Sequence, residues 1–235
     1  MNEIMNEYRC VTDLAEVKAY LDDAKIVSFD YETAPDEGYR DEDKAALDAA
    51  KSHICTLSLS VREHTGIMIP VAHKVGPNMP KAEFDALLTG FLTDRSIIKV
   101  AHNLSFEAMF SYAKGIVIMP PVYDTIAASQ MTLKNAYDFR KLSDSGLKKL
   151  AGELCGDPLP SFSSITDGKH FDELDSMDAE TIRYSCADSD FALRLYHILW
   201  LMELSSATRK VMRGALHPTT VTRSISGASL ARGTP

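Results

Sequence analysis

The sequence is poor in cysteine. Cys10, Cys55, Cys155 and Cys186 are scattered through 235 residues, with no C-x-x-C pair and no histidine at zinc-ligand spacing. That pattern speaks against a disulfide scaffold or a cysteine-based zinc module and for reduced thiols. No run of about 18 apolar residues is present, which excludes a membrane-spanning helix by length. The opening Met-Asn-Glu-Ile-Met-Asn-Glu is acidic and has no apolar stretch, unlike a secretory signal, so a cytoplasmic location is expected. Basic residues are in deficit, 25 Lys and Arg against 33 Asp and Glu, for a formal net charge of −8. A surface that grips duplex phosphates over its whole extent is therefore excluded, although local basic patches are not. The same acidity suits a protein that gathers carboxylates around a divalent cation. Apolar residues, at 45%, are plentiful enough to build a core, which excludes wholesale disorder. The length fits one domain with additions, and no internal repeat is visible.

The order of elements reads as α/β. Val11 to Leu21 carries Leu14, Val17 and Leu21 on one helical stripe, with Thr12 or Asp13 as cap. Ile26 to Glu32, His53 to Val61 and Gly66 to Val71 read as strands. In the second, Ile54, Thr56, Ser58 and Ser60 alternate with Cys55, Leu57, Leu59 and Val61. The short link after the second strand predicts antiparallel neighbours. Phe84, Leu87, Leu88 and Phe91 give Pro80 to Leu92 an amphipathic helix. Ile97 to Ala101 reads as a short buried strand. Asn103 is placed to cap a helix through Tyr112, and Ile116 to Met119 reads as a further strand. Asp124 to Leu133, Ser145 to Leu154 and Ala179 to Leu204 read as helices. The acidic, Ala-rich link from Ala34 to Ser52 has room for a small surface helix. A mixed β-sheet flanked by α-helices is the expected architecture, with one domain over residues 1–204. Ser205 to Pro235 has no sustained apolar period and no acid, and reads as a poorly ordered basic tail.

Four carboxylates stand out from the patterns around them. On a strand, residues two apart share a face, so Ser28, Asp30 and Glu32 oppose Val27, Phe29 and Tyr31. Asp30 and Glu32 either are solvated at a fraying strand end or share a cation that relieves their repulsion. On a helix, Tyr184, Asp188, Phe191 and Leu195 form a core-type stripe with an acid inside it. Asp188 is then either at the edge of the stripe, beside Asp190, or paired with a partner. Glu107 falls one turn after Asn103, directly behind the Ile97–Ala101 strand, which is also ordinary first-turn helix chemistry. Together, two acids from a strand and two from helices can converge on a single site. Oxygen ligands without thiolates suit Mg²⁺ or Mn²⁺.

These segments resemble a known family. Phe-Asp30-Tyr-Glu32-Thr33, His102-Asn103-x-x-Phe-Glu107 and Tyr184-x-x-x-Asp188 are similar to the three motifs of the DEDD 3′→5′ exonucleases. Tyrosine four residues before the last Asp matches the DEDDy subgroup, and the chain resembles the proofreading domain of family A, polymerase I-like and phage, DNA polymerases. Tyr123-Asp-Thr-Ile-Ala-Ala-Ser-Gln-Met, Leu147-Lys-Lys-Leu-Ala and Ser161-Phe-Ser-Ser-Ile follow in the family's order, and the likeness covers about residues 10–203. It implies a ribonuclease H-like fold. It implies two divalent cations, Mg²⁺ with Mn²⁺ as substitute, bridged by Asp30, with Glu32 and Asp188 on one and Glu107 on the other. It implies that Tyr184 orients the attacking water, and that Thr33, Asn103 and Phe162 meet the substrate, a single-stranded or frayed DNA 3′ end released as nucleoside 5′-monophosphates. For Phe162 the competing reading is a core residue, and for Asn103 a helix cap. Lys141, Lys148, Lys149 and Lys169 either meet phosphates or line a solvated face. Cys186, Trp200 and the methionines read as packing, Asp124 as a cap and as reserve ligand for Glu107, and His73, His170 and His217 are unassigned.

The family pattern has Asp where this chain has Glu107, which keeps the charge and adds a methylene. Polymerase motifs are absent, so a free-standing domain, a subunit working with a DNA polymerase domain or replication proteins, or a piece of a longer phage-type polymerase is expected. The setting implied is a bacterial or phage-infected cell. An RNase D-like RNA exonuclease has the same motifs, because contacts to the 2′-hydroxyl are not written in them. A catalytically silent, DNA-binding or structural domain is the third reading, for which Glu107 is the one sequence signal.

Overall fold

The computed structural model describes residues 6–133 and 145–216, with side chains to residue 205. Six strands form one mixed sheet: β1 (Glu7–Cys10), β2 (Ile26–Pro35), β3 (Ser52–Ser60), β4 (Thr65–Pro70), β5 (Ile98–Ala101) and β6 (Val122–Asp124). Their order is β1-β4-β3-β2-β5-β6. β2 is central, antiparallel to β3 and parallel to β5. β3 and β4 are antiparallel, as their short link requires, and β1 and β6 add parallel edges.

The two faces of the sheet are chemically different. Val27, Phe29 and Tyr31 of β2, Leu57 and Leu59 of β3 and Ile67 and Ile69 of β4 form a large apolar core. It is covered by α1 (Leu14–Leu21), α2 (Lys81–Thr93) and α3 (Leu104–Ala113) through Val17, Phe84, Leu88, Phe91 and Phe110. The opposite face carries the small side chains Ser28, Thr56, Ser58, Ser60 and Gly66, all lying against α7 (Ala179–Leu216). Small residues let a helix approach a sheet closely. A Cβ added at Gly66 would lie 2.8 Å from the Cys186 Cβ. α4 (Thr125–Leu133) and α5 (Leu147–Leu150) pack on α7 through Ala128, Leu133, Leu150, Leu195 and Leu199. The short α6 (Phe162–Thr166) sits beside the start of α7.

Several sequence expectations need correction. β1 was not expected: it is four residues long, on an edge, with Glu7 exposed, too short for an alternating pattern to register. Ile116 to Met119 forms no strand. Ile116 instead packs into the core, and the strand begins after Pro120-Pro121, whose rings remove two donors. The Ala34–Ser52 link continues β2 to Pro35, and the small helix for which it has room takes the form of two 3₁₀ turns, Glu37–Tyr39 and Ala45–Leu47. Asp13, not Thr12, caps α1, accepting from the Ala15 and Glu16 amides. α5 passes into a π-helical turn, Ala151–Cys155. The last helix passes Ser205 and continues to Leu216. Residues 217–235, with His217, and Lys141 lie outside the described residues.

One irregularity matters for the site. Glu32 pairs with Thr56 but Thr33 pairs with Ile54, so Cys55 is an extra residue in β3. This bulge breaks the alternation read from the sequence. Ile54 joins Leu57 and Leu59 in the large core, while Cys55 turns to the α7 side with Ala34, Phe171, Leu174 and Tyr184. The Cys55 thiol donates to the Glu32 carbonyl at 3.1 Å, fixing the backbone of β2 where its second acid stands.

Candidate active site

Asp30 and Glu32 project from β2 on the α7 side, and Asp188 comes down from α7 to meet them. A carboxylate oxygen of each lies within 4.8 Å of the others. Asp30 and Asp188 keep a partly exposed edge, and Glu32 is buried. Burial raises the Asp30 carboxyl well above the usual range, with the Asp188 charge adding to it and Lys148 opposing it. Glu32 is raised in the same way, by burial first and then by Asp30 and Asp188. Asp188 is pushed up to about 6 by burial, again against Lys148. Three acids crowded at low solvation must hold protons or a cation.

Glu107 stands outside the 4.8 Å group, in the first turn of α3. It is 1% exposed, and its carboxyl is raised by burial and then by Asp30. Its charge is thus felt by the same cluster, at Asp30 and at Glu32. Two oxygens in this region, Oε1 of Glu32 and Oε2 of Glu107, are buried with no hydrogen-bond partner. Buried carboxylate oxygens are rarely left so. An all-oxygen donor set with orphaned acceptors fits a hard divalent cation, so the residues present fit such a group.

Asp124 settles how Glu107 is held. Its Oδ1 accepts from the Asn103 and Ile126 amides, at 3.2 and 2.9 Å, and its Oδ2 accepts from Leu104 at 3.1 Å. A single carboxylate thus caps the beginnings of α3 and α4. These contacts match the capping role read from the sequence. Asn103 does not cap α3 as expected. It takes a left-handed conformation, φ 75°, and makes no side-chain bond to the helix backbone. Its Oδ1 accepts from the Ser105 hydroxyl, and the residue is exposed beside the acids' end of β5.

Tyr184 is one turn before Asp188 on α7 and is buried among Cys55, Phe171 and Ala34. Burial, followed by the charges of Asp188, Glu32 and Asp30, raises its phenol. Lys148 of α5 donates to its Oη at 3.2 Å. Phe162 is 43% exposed, stacked on Phe171 at 6.3 Å and 23° and edge-on to Tyr184 at 6.1 Å. It is not a core residue but the outer member of an aromatic ledge beside the acids. Thr33 is buried, and its hydroxyl donates to the Ala46 carbonyl. Asp190, the other acid in the motif, is fully buried in a different network with Arg194 and the Tyr8 hydroxyl, so it is no alternative to Asp188.

The sequence reading missed the support for the ledge. Phe171 stacks on Phe162 and meets His73 edge-on, and His73 accepts from Thr56 and donates to the Leu174 carbonyl at 2.9 Å. A neutral imidazole with Nδ1–H is the tautomer that satisfies both, and burial lowers its basicity accordingly. Asp172, next to Phe171, is buried and forked by Arg40 from the Ala34–Ser52 link. Nothing in the spacing of Arg40, His73 and Asp172 marks them as neighbours. Cys186 is core, whereas Trp200 is half exposed, stacked on Tyr196, and Met131 is exposed. The packing reading is thus corrected for Met131, and likewise for Met109 and Met177, while Trp200 packs with one side of its ring only.

A family model described as 3′-5′ exonuclease matches residues 7–203. DNA polymerase I of Pseudomonas aeruginosa is 24% identical over 206 residues, covering 83% of this chain and 20% of that protein. The chain thus spans about a fifth of the relative's length. Among solved structures, Brucella melitensis NrnC with bound Mg²⁺ is similar at a TM-score of 0.59 and 21% identity, covering 93% of this chain and 100% of that one. Escherichia coli RNase D, an exoribonuclease, is similar at a TM-score of 0.58 and 18% identity, over 86% of this chain and 46% of that one. At such identities the likeness is one of fold.

Proposed function

Since the chain belongs to the 3′-5′ exonuclease family, we propose that it removes nucleotides from the 3′ end of single-stranded or frayed DNA, using two divalent cations held by Asp30, Glu32, Asp188 and Glu107. The observation that carries the reading is the meeting of three carboxylates within 4.8 Å, with orphaned buried oxygens on Glu32 and Glu107. Bound Mg²⁺ or Mn²⁺ would supply an acidic water near neutral pH and positive charge beside the phosphate. Asp30, whose charge acts on both Glu32 and Glu107, would serve both cations, with Glu32 and Asp188 on one and Glu107 on the other. Tyr184 offers a hydroxyl at the edge of the acids, where it orients the attacking water. Phe162 gives a terminal base an aromatic surface to stack on, and stacking holds a splayed strand without reading its sequence. Asn103, released from capping, meets the terminal nucleotide. Thr33, with its hydroxyl engaged, acts by holding the Ala46 turn.

An RNA 3′ end is the second reading, motivated by the fold shared with RNase D. The matched polymerase motivates the DNA reading, in which a polymerase domain or another replication protein presents the frayed end. Incubation of 5′-labelled single-stranded DNA and RNA with Mg²⁺ or Mn²⁺, with and without EDTA, tests both. The expected result is a ladder shortening from the DNA 3′ end, abolished by EDTA and by Asp30→Ala. Shortening of RNA alone moves the substrate. No cleavage of either leaves a silent binding domain.

A further inference from the structure

The charge of Lys148 acts on Asp30, Glu32 and Asp188, yet the three motifs give this residue no part. It stands on α5, whose Leu150, followed by Ala151, is fully buried, so the backbone beneath it is anchored. Its Nζ lies 3.2 Å from the Tyr184 Oη and 4.7 Å from the centroid of the Tyr184 ring. An ammonium has donors and no acceptor, so in this contact the phenol oxygen accepts. The phenol hydrogen then cannot point at Nζ. Asp188, Glu32 and Asp30 are the charged groups that act on the phenol, and they offer it an acceptor side.

We propose that Lys148 is a positioning residue for Tyr184: by donating to the phenol oxygen, it turns the hydroxyl hydrogen toward the Asp30, Glu32 and Asp188 cluster. The inference rests on Tyr184 orienting the attacking water. A hydroxyl that accepts a charge-assisted hydrogen bond is also a stronger donor, so the contact both aims and polarises the group. The cation over the ring holds the aromatic plane at the same time. Lys149, one residue on, reaches Glu153 at 4.0 Å.

The test is a double-mutant cycle of Lys148→Met and Tyr184→Phe, together with Lys148→Arg. Lys148→Met is expected to lower kcat by about tenfold to a hundredfold, the usual effect of removing a group that orients a site residue. KM for the oligonucleotide should stay nearly unchanged, and Lys148→Met should cost nothing further in the Tyr184→Phe background. Lys148→Arg should recover most of the rate. A second readout needs no cation and no turnover. In metal-free protein labelled with 3-fluorotyrosine, the ¹⁹F resonance that disappears in Tyr184→Phe should shift in Lys148→Met and return toward its place in Lys148→Arg. Multiplying losses with a raised KM would overturn the proposal and make Lys148 a phosphate contact. An unmoved fluorine resonance would also overturn it. If the unaltered protein cleaves neither DNA nor RNA, the nuclease reading fails on its own, and the fluorine resonance still decides whether Lys148 sets the phenol.

Discussion

Gly66 of β4 and Cys186 of α7 touch so closely that no side chain fits between them. A Cβ at Gly66 would stand 2.8 Å from the Cys186 Cβ and 3.3 Å from the Cys186 carbonyl oxygen. Cys186 is two residues before Asp188, so the same approach that excludes a methyl group delivers the third carboxylate to Asp30 and Glu32. Gly66→Ala should force α7 outward, because a Cβ and a backbone oxygen cannot swing aside. Overpacking of this kind costs about 1–3 kcal/mol. Activity should fall further than stability, since Asp188 moves with the helix. Urea unfolding and Mg²⁺ titration of the variant check this, and unchanged cation affinity would refute the coupling.

Asp124 should matter as a cap, not as a ligand. Asp124→Ala removes three hydrogen bonds to the starts of α3 and α4. A lost cap costs about 0.5–2 kcal/mol, and two helices share this one. Glu107, in the first turn of α3, should lose its placement. The measurable result is a lowered unfolding midpoint together with weakened cation binding. Asp124→Asn should recover part of the stability through its remaining carbonyl.

Phe162 should act on binding. Its ring is already supported by Phe171, so it offers a stacking surface without needing to be ordered first. Base stacking on an aromatic is worth about 1–3 kcal/mol. Phe162→Ala should therefore raise KM for single-stranded substrate and leave kcat little changed, while Phe162→Trp should preserve KM. A fall in kcat alone, with KM unaltered, would place the ring in the core of the site instead.

His102 gives a dependence on pH that can be signed. Burial lowers its imidazole to about 4, with Asp124 partly offsetting the effect. The unfolded chain takes up the proton near the ordinary value of about 6.5, before the folded protein does. Its contribution to stability is thus complete above about 6.5 and is lost as the pH falls toward 4. Denaturation midpoints measured across that range should fall less steeply in His102→Gln than in the unaltered protein. The acids of the site, raised by burial, act in the opposite direction in both proteins and cancel in the comparison. Parallel curves would show that His102 carries none of the effect.

The local parts of the fold were legible because their patterns are short-ranged. Val27, Phe29 and Tyr31 alternate with Ser28, Asp30 and Glu32, and that period alone put both acids on one face of a strand. The helical spacing of Tyr184, Asp188, Phe191 and Leu195 placed the third acid on a packed stripe. Three motifs in order were enough to identify the chemistry, because charge buried in a core pattern is costly without a function.

What tertiary structure decided depends on partners distant in sequence. The bulge at Cys55 is set by the pairing of β2 with β3, so it reversed an alternation that looked continuous. Asp124 reads as a cap in the sequence, but only the packing shows that its one carboxylate joins the amides of Asn103, Leu104 and Ile126 from two helix starts. Lys148 and Lys149 are the same residue type side by side, and only the packing of α5 on α7 gives Tyr184 to the first of them. Periodicity fixes which way a side chain faces, but the group it meets there belongs to another part of the chain.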